Sequence, residues 1–191
     1  MSNRYNHKYI IFKLKEVMGM KSWMIAVVCL AMAIGVMAAD PPDDTATCAI
    51  SVTVDNIMEW SANFPAIALA TMTTQAAAPT GTQTTTLYTN GNVDITADNT
   101  DTSQLTDGTD TLVTSYSLAY DGNGVAATGG SSVAYTLHSS FLSSASVVTH
   151  VSLDGAVVVT LGARAQHDAG NVADSGDYTA TQTLTASWGT Q

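Results

Sequence analysis

From Tyr178 to Trp188 the chain alternates between two kinds of residue. Tyr178, Ala180, Leu184, Ala186 and Trp188 take every second place, interrupted only by Gln182, while Thr179, Thr181, Thr183, Thr185 and Ser187 take the others. A period of two turns one set toward a core and the other toward water. The stretch Gly176 to Trp188 is therefore predicted to hold a long, half-buried final β-strand.

The same period recurs upstream. Cys48, Ile50, Val52 and Val54 alternate with Ala49, Ser51 and Thr53, predicting a first strand that Ile57 to Trp60 continues past a kink. Ala66 to Met72 gives an apolar stretch after Pro65. Thr84 to Thr89 and Asn92 to Ala97 flank Asn90-Gly91, two positions that tolerate positive φ, so a two-residue hairpin is predicted there with Val93, Ile95 and Ala97 on one face. Leu112, Thr114, Tyr116, Leu118 and Tyr120 mark a further strand, which Asp121-Gly122-Asn123-Gly124 turns. Val133, Tyr135 and Leu137 mark the next. Val147, Val151 and Leu153 are then predicted to pair across Asp154-Gly155 with Val157, Val159 and Leu161 as a second hairpin. Residues 73–83, 98–110 and 162–175 read as loops. No helical period and no fixed repeat appear beyond residue 39. About eight short strands punctuated by Gly, Asn and Asp predict an all-β chain folded as a single antiparallel β-sandwich over residues 48–191.

Residues 1–39 break this pattern. Ser22 to Ala39 form an apolar run preceded by Lys13, Lys15 and Lys21 and followed by Asp40-Pro41-Pro42. A basic flank, an apolar stretch and a small-residue end describe a helical secretory signal peptide cut after Ala38 or Ala39; an uncleaved membrane anchor is the alternative. Export to the cell surface or beyond is expected. Residues 40–47, DPPDDTAT, are too polar and proline-rich to pack and read as a flexible extension.

Cleavage changes the charge. The whole chain carries six Lys and Arg against 16 Asp and Glu, a net charge of −10. Five of those bases and Glu16 precede the cut, so the mature chain keeps Arg164 as its only strong base and stands near −14. Affinity for nucleic acid and for anionic membranes comes from Lys and Arg, so neither is an expected partner. With no lysine left, isopeptide and Schiff-base chemistry are excluded from the mature protein.

Candidate chemistry is sparse. Cys48 is left alone once Cys29 departs with the leader, and reads either as a buried thiol or as one half of an intermolecular disulfide. Parity puts His138 and His150 on solvent faces and His167 in a loop, so no zinc site is expected. Glu59 is the only glutamate after residue 39, and no partner carboxylate at the separation glycoside hydrolysis needs can be nominated from the sequence. No G-x-S-x-G, CxxC or phosphate-cradling motif occurs. Asp94, Asp98, Asp101, Asp107 and Asp110 surround one loop, and calcium takes 6 to 8 oxygen ligands. Asp98, Asp101, Asp107 and Asp110 are the candidate calcium ligands, against a solvated acidic loop as the plain reading. Regularly spaced Thr on the last strand could present hydroxyls and methyls as some ice-binding proteins do. That needs several ranks in register, and Thr82, Thr84 and Thr86 form only a weak second, so ordinary β-propensity on a solvent face is the plain reading.

At Asp174-Ser175-Gly176-Asp177-Tyr178-Thr179-Ala180 the sequence resembles the tyrosine-corner segment of immunoglobulin-like domains, with Ala180 where that pattern has cysteine. More of the chain resembles exported bacterial β-sandwich subunits of surface fibres and coats, pilin-like proteins among them. It shares with them a leader, a polar N-terminal segment, the hairpin-like stretch Thr89 to Ala97 and the closing G-x-Y-x-A strand. The resemblance implies a non-enzymatic structural or adhesive subunit that associates with itself or with other surface proteins, and carries no catalytic residue over. Cys48, Ile50, Val52 and Val54 are the candidate assembly residues, the strand Ala49 to Val54 completing a neighbour's sheet by strand addition. A strand belonging to the chain's own sheet is the competing reading. The rival function is a calcium- or glycan-binding module, with Trp60, Tyr88 and Trp188 as the only aromatics available to a sugar.

Overall fold

The computed structural model of the chain describes residues 44–189. The expected leader and residues 40–43 lie outside the described residues. The chain divides into two units, residues 1–52 and residues 53–191. In the first, residues 44–52 carry no regular secondary structure, and Cys48, Ile50 and Val52 are exposed.

The strand predicted over residues 48–54 is accordingly corrected, since no ladder forms along it. Alternation supplies a face; a strand also needs a neighbouring edge for its N–H and C=O groups.

The second unit is built from eight strands. These are β1 (Met58–Trp60), β2 (Thr80–Thr89), β3 (Val93–Ala97), β4 (Val113–Tyr120), β5 (Val133–Leu137), β6 (Ser146–Val148), β7 (Ala156–Gln166) and β8 (Leu184–Trp188). They form two packed antiparallel sheets, a five-stranded one in the order β1-β2-β7-β4-β5 and a three-stranded one in the order β6-β3-β8. Leu87, Val157, Val159 and Leu118 face inward from the large sheet and Val93, Ile95 and Val148 from the small one. Phe141, from the connection between β5 and β6, is fully buried and packs its ring 5.6 Å from that of Tyr116. Burial pushes the phenols of Tyr116 and Tyr120 up to about 12.

Neither predicted hairpin exists. The Asn90-Gly91 turn joins β2 in the large sheet to β3 in the small one, and Val93 pairs with Val148 and Trp188 rather than with β2. Thr89 wraps this corner, its Oγ1 donating to the Gly91 carbonyl at 2.8 Å and accepting from the Gly91 N–H at 3.2 Å. Across Asp154-Gly155 the chain again changes sheet, from β6 to β7. There the parity also slips by one: Val148 is buried, whereas Val147 and Leu153 face solvent. Two strands that face each other across a core show the same alternation as two neighbours in one sheet, so the pattern records the face and not the neighbour.

β7 runs five residues beyond Leu161, into the predicted loop. Its Gly162 leaves room for Tyr135 to lie across the outer surface of the large sheet, where a Cβ would come within 3.0 Å of the Tyr135 hydroxyl. Arg164 then stacks on the Tyr135 ring at 5.0 Å, so the one base expected in the mature chain is engaged in a cation–π contact.

Candidate functional site

The small sheet is shorter than the large one and leaves part of its inner face uncovered. Residues 64–75 partly fill this space as an extended strap. Ile67 and Leu69 turn toward the core from it, close over Gly81, where a Cβ would lie 2.7 Å from the Ile67 methyl. The Gln83 amide donates to the Ala66 carbonyl at 3.3 Å, and Trp60 packs against Phe64 with ring centroids 5.9 Å apart and planes tilted by 56°. The apolar stretch Ala66 to Met72 therefore contributes to the core without being a strand.

Facing the strap is the lead-in to β8. The predicted final strand starts later than its alternation suggests, at Leu184, yet Thr179 and Thr106 exchange backbone bonds and Thr181 donates to Thr102 at 2.9 Å. The Tyr178 hydroxyl donates to the Asp174 carbonyl four residues upstream at 2.9 Å. Between strap and lead-in lies an open trough of about 910 Å³, floored by Tyr116, Leu161, Ala163 and Ala165 and bordered by Ala180 and Gln182.

One edge of this lead-in and of β8 has no strand beside it among the described residues. Bonds to β3 and its approach are made by alternate residues: Thr181 and Gly189 donate to Thr102 and Asn92, and Thr183 accepts from Asp98. In an antiparallel ladder the intervening residues then direct their N–H and C=O groups the other way. Ala180, Gln182, Leu184 and Ala186 thus direct their backbone groups away from β3, where no strand pairs with them among the described residues, and of the four Ala180 and Gln182 border the trough. Gln182 adds a second unmet demand, because both polar atoms of its amide are buried and have no partner among the described residues. Its place in the apolar rank is the sequence signal for it, legible only as an interruption.

Three of the four candidate calcium ligands, Asp98, Asp107 and Asp110, accept hydrogen bonds from backbone N–H groups. Asp98 Oδ1 accepts from the Thr100 N–H at 2.9 Å, and Asp107 Oδ1 accepts from Thr109 and Asp110, both at 2.8 Å. Asp110 accepts from Thr111 and, through its other oxygen, from Asp174 at 3.1 Å. Asp101 sits exposed in a 3-10 turn with Thr102 and Ser103. Among the described residues no three His, Cys, Asp or Glu side chains are placed to hold one metal ion.

Backbone donors hold the carboxyls of Asp98 and Asp107 below the usual range, the Thr100 N–H acting on the first and those of Asp110 and Thr109 on the second. A lowered folded-state pKa adds stability above the unfolded value that is lost as pH falls through the folded one. Acid titration of Asp107→Asn should accordingly show a shallower fall in melting temperature below about pH 4 than the parent. An unchanged slope would remove Asp107 from the account.

His138 and His150 are half-buried rather than solvent-facing, and His167 accepts from the Ala173 N–H at 3.1 Å. Cys48 is an exposed free thiol, which overturns its reading as a buried apolar group. Of the aromatics considered for a sugar, Tyr88 and Trp188 keep exposed surface and Trp60 packs against Phe64. The fold and site define a β-sandwich-type module without evident catalytic or metal-binding groups among its described residues. No protein-family model, no curated protein and no solved structure matches the chain.

Proposed function

We propose that the chain is an exported structural or adhesive subunit, without enzymatic activity, that assembles with copies of itself by donating residues 49–54 as a strand. The observation that carries this reading is the rank Ile50, Val52 and Val54, exposed by 91%, 87% and 67% on a segment that belongs to no strand. Fully burying each such side chain is worth about 1.5–3 kcal/mol. A bare rank of this kind gains by completing another sheet, with main-chain bonds giving affinity and alternate side chains giving register. The leader pattern supports export, and the exposed Cys48 beside the rank leaves an intermolecular disulfide open to it.

The test is the mature chain against the same chain lacking residues 40–54, compared by sedimentation and electron microscopy. The intact protein is expected to form oligomers or fibres and the shortened one to stay a folded monomer. An intact protein that remains monomeric at high concentration, with and without calcium, defeats the reading.

A further inference from the structure

We infer that the outer face of the large sheet holds a site for a sugar acid, a polyhydroxylated molecule with one carboxylate, and that Arg164 is the residue that clasps it. Arg164 stands apart from the rest of its chain. Across residues 40–191 it is the only Lys or Arg, yet none of the many carboxylates pairs with it among the described residues. Asp168, the acid nearest to it in sequence, accepts from the Ala169 N–H at 2.8 Å instead. Strands β2, β4, β5 and β7 contain no other charged residue, and of the 16 Asp and Glu in the chain the large sheet holds only Glu59, in its edge strand β1. One cation thus faces outward from a sheet almost free of acids.

The guanidinium is held as a fork. Its Cζ lies 5.0 Å over the Tyr135 ring, and Nη2 donates to Ser115 Oγ over a long 3.5 Å. Stacking on an aromatic fixes the plane of the group and leaves donors at its edge, the geometry that takes a carboxylate through two parallel bonds. Arg164 is only half-buried, so a carboxylate can approach from solvent. Its Nε–H, buried without an acceptor among the described residues, leaves the resting group short of partners.

Neutral partners for a sugar surround the fork. Arg164 stands in register between Thr80 of β2 and Ser115 of β4, and the neighbouring outward row is Thr82, Gly162 and Ser117. The missing side chain at Gly162 dips the middle of that row, and the hydroxyls of Tyr135 and Ser117 converge over it. Each hydroxyl both donates and accepts, which meets the mixed demand of a sugar's own hydroxyls. Other occupants fit less well. β7 is bonded to β2 on one side and to β4 on the other, so a peptide finds no open edge here to extend. A polyanion is opposed by the excess of acids elsewhere on the mature chain, whereas one carboxylate is what one arginine balances.

The test is calorimetric titration of the mature chain at about pH 8, where histidines are neutral and Arg164 is its only cationic side chain. The probes are gluconate and methyl glucuronide, which carry the required chemistry as a free acid and as a glycosidic ring. Methyl glucoside, without the carboxylate, and hexanoate, without the hydroxyls, are the controls. At least one of the two acids is expected to bind at least tenfold more tightly than both controls, and which one does so separates a free sugar acid from a glycan residue as the source. The surface elsewhere repels an acid, so this preference can arise only at Arg164. Arg164→Gln should weaken the binding at least tenfold. Arg164→Lys should weaken it at least threefold, because an ammonium keeps the charge but not the fork. Thr82→Val, an exposed change that removes one hydroxyl, should also weaken it, and decides alone where an Arg164 variant does not fold. Hexanoate or methyl glucoside binding as tightly as the sugar acids, binding that none of the three substitutions alters, or no saturable binding of either acid overturns the site. Residues 49–54 take no part in it, so its failure leaves assembly by strand donation standing.

Discussion

Phe141→Ala is expected to lower the stability of the sandwich by about 3–5 kcal/mol, the cost of deleting a fully buried aromatic and leaving a cavity. Phe141 has no exposed surface and lies between the sheets against Tyr116, although it belongs to neither sheet. It follows a 3-10 turn, His138–Ser140, and precedes Leu142, which takes a positive φ of 50°. A pinned backbone on both sides leaves little room for neighbours to collapse into the space. Because domains of this size are stable by only about 5–15 kcal/mol, the loss should be plain in chemical denaturation. The midpoint should fall with an unchanged slope. A shift worth under about 1 kcal/mol would mean that the plug is dispensable.

Gly122→Ala should be costly for a different reason. A Cβ at Gly122 would stand 2.0 Å from the Thr128 carbonyl oxygen, which is backbone and cannot rotate aside. The loop that holds both residues is tied down: Gly124 donates to the Ala127 carbonyl at 2.8 Å, and the Thr128 N–H donates to Asp154 Oδ2 at 2.7 Å. Thr128 Oγ1 donates to the Asp154 carbonyl and accepts from the Val151 N–H at 2.8 Å. Making room means pulling this buried knot apart. Overpacking of a fixed site costs about 1–3 kcal/mol, and here broken hydrogen bonds add to it. The matching measurement is thermal unfolding of Gly122→Ala beside Gly108→Ala, a glycine at φ 93° with nothing within 4 Å of its Cβ position. The Gly122 change should lower the melting temperature more. The reverse order would show that the loop yields easily.

The residues that were easy to read are those whose neighbours in sequence settle their orientation. Thr114, Tyr116 and Leu118 are buried along β4, and Leu112 just ahead of it, as their period predicts, and Val93 and Ile95 are buried along β3. Phe141 was hidden because it reaches the core from a loop, where no period operates. Gly122 read as a turn residue, and nothing in Asp121-Gly122-Asn123-Gly124 announces a buried carbonyl against it. The trough was legible only in fragments: the apolar run Ala66 to Met72 and the interruption at Gln182 each stood out singly. Their relation depends on which sheet each one joins.

By itself the sequence determined that the described residues are predominantly β, which sides of their main strands meet the core and how poor they are in bases, since period and composition are properties of short stretches. The tertiary structure alone decided that Asn90-Gly91 and Asp154-Gly155 cross between sheets, that residues 48–54 form no strand and that one edge of β8 has no strand beside it among the described residues. These are matters of pairing, and pairing is set by the surface two distant segments bury together, which no local pattern encodes.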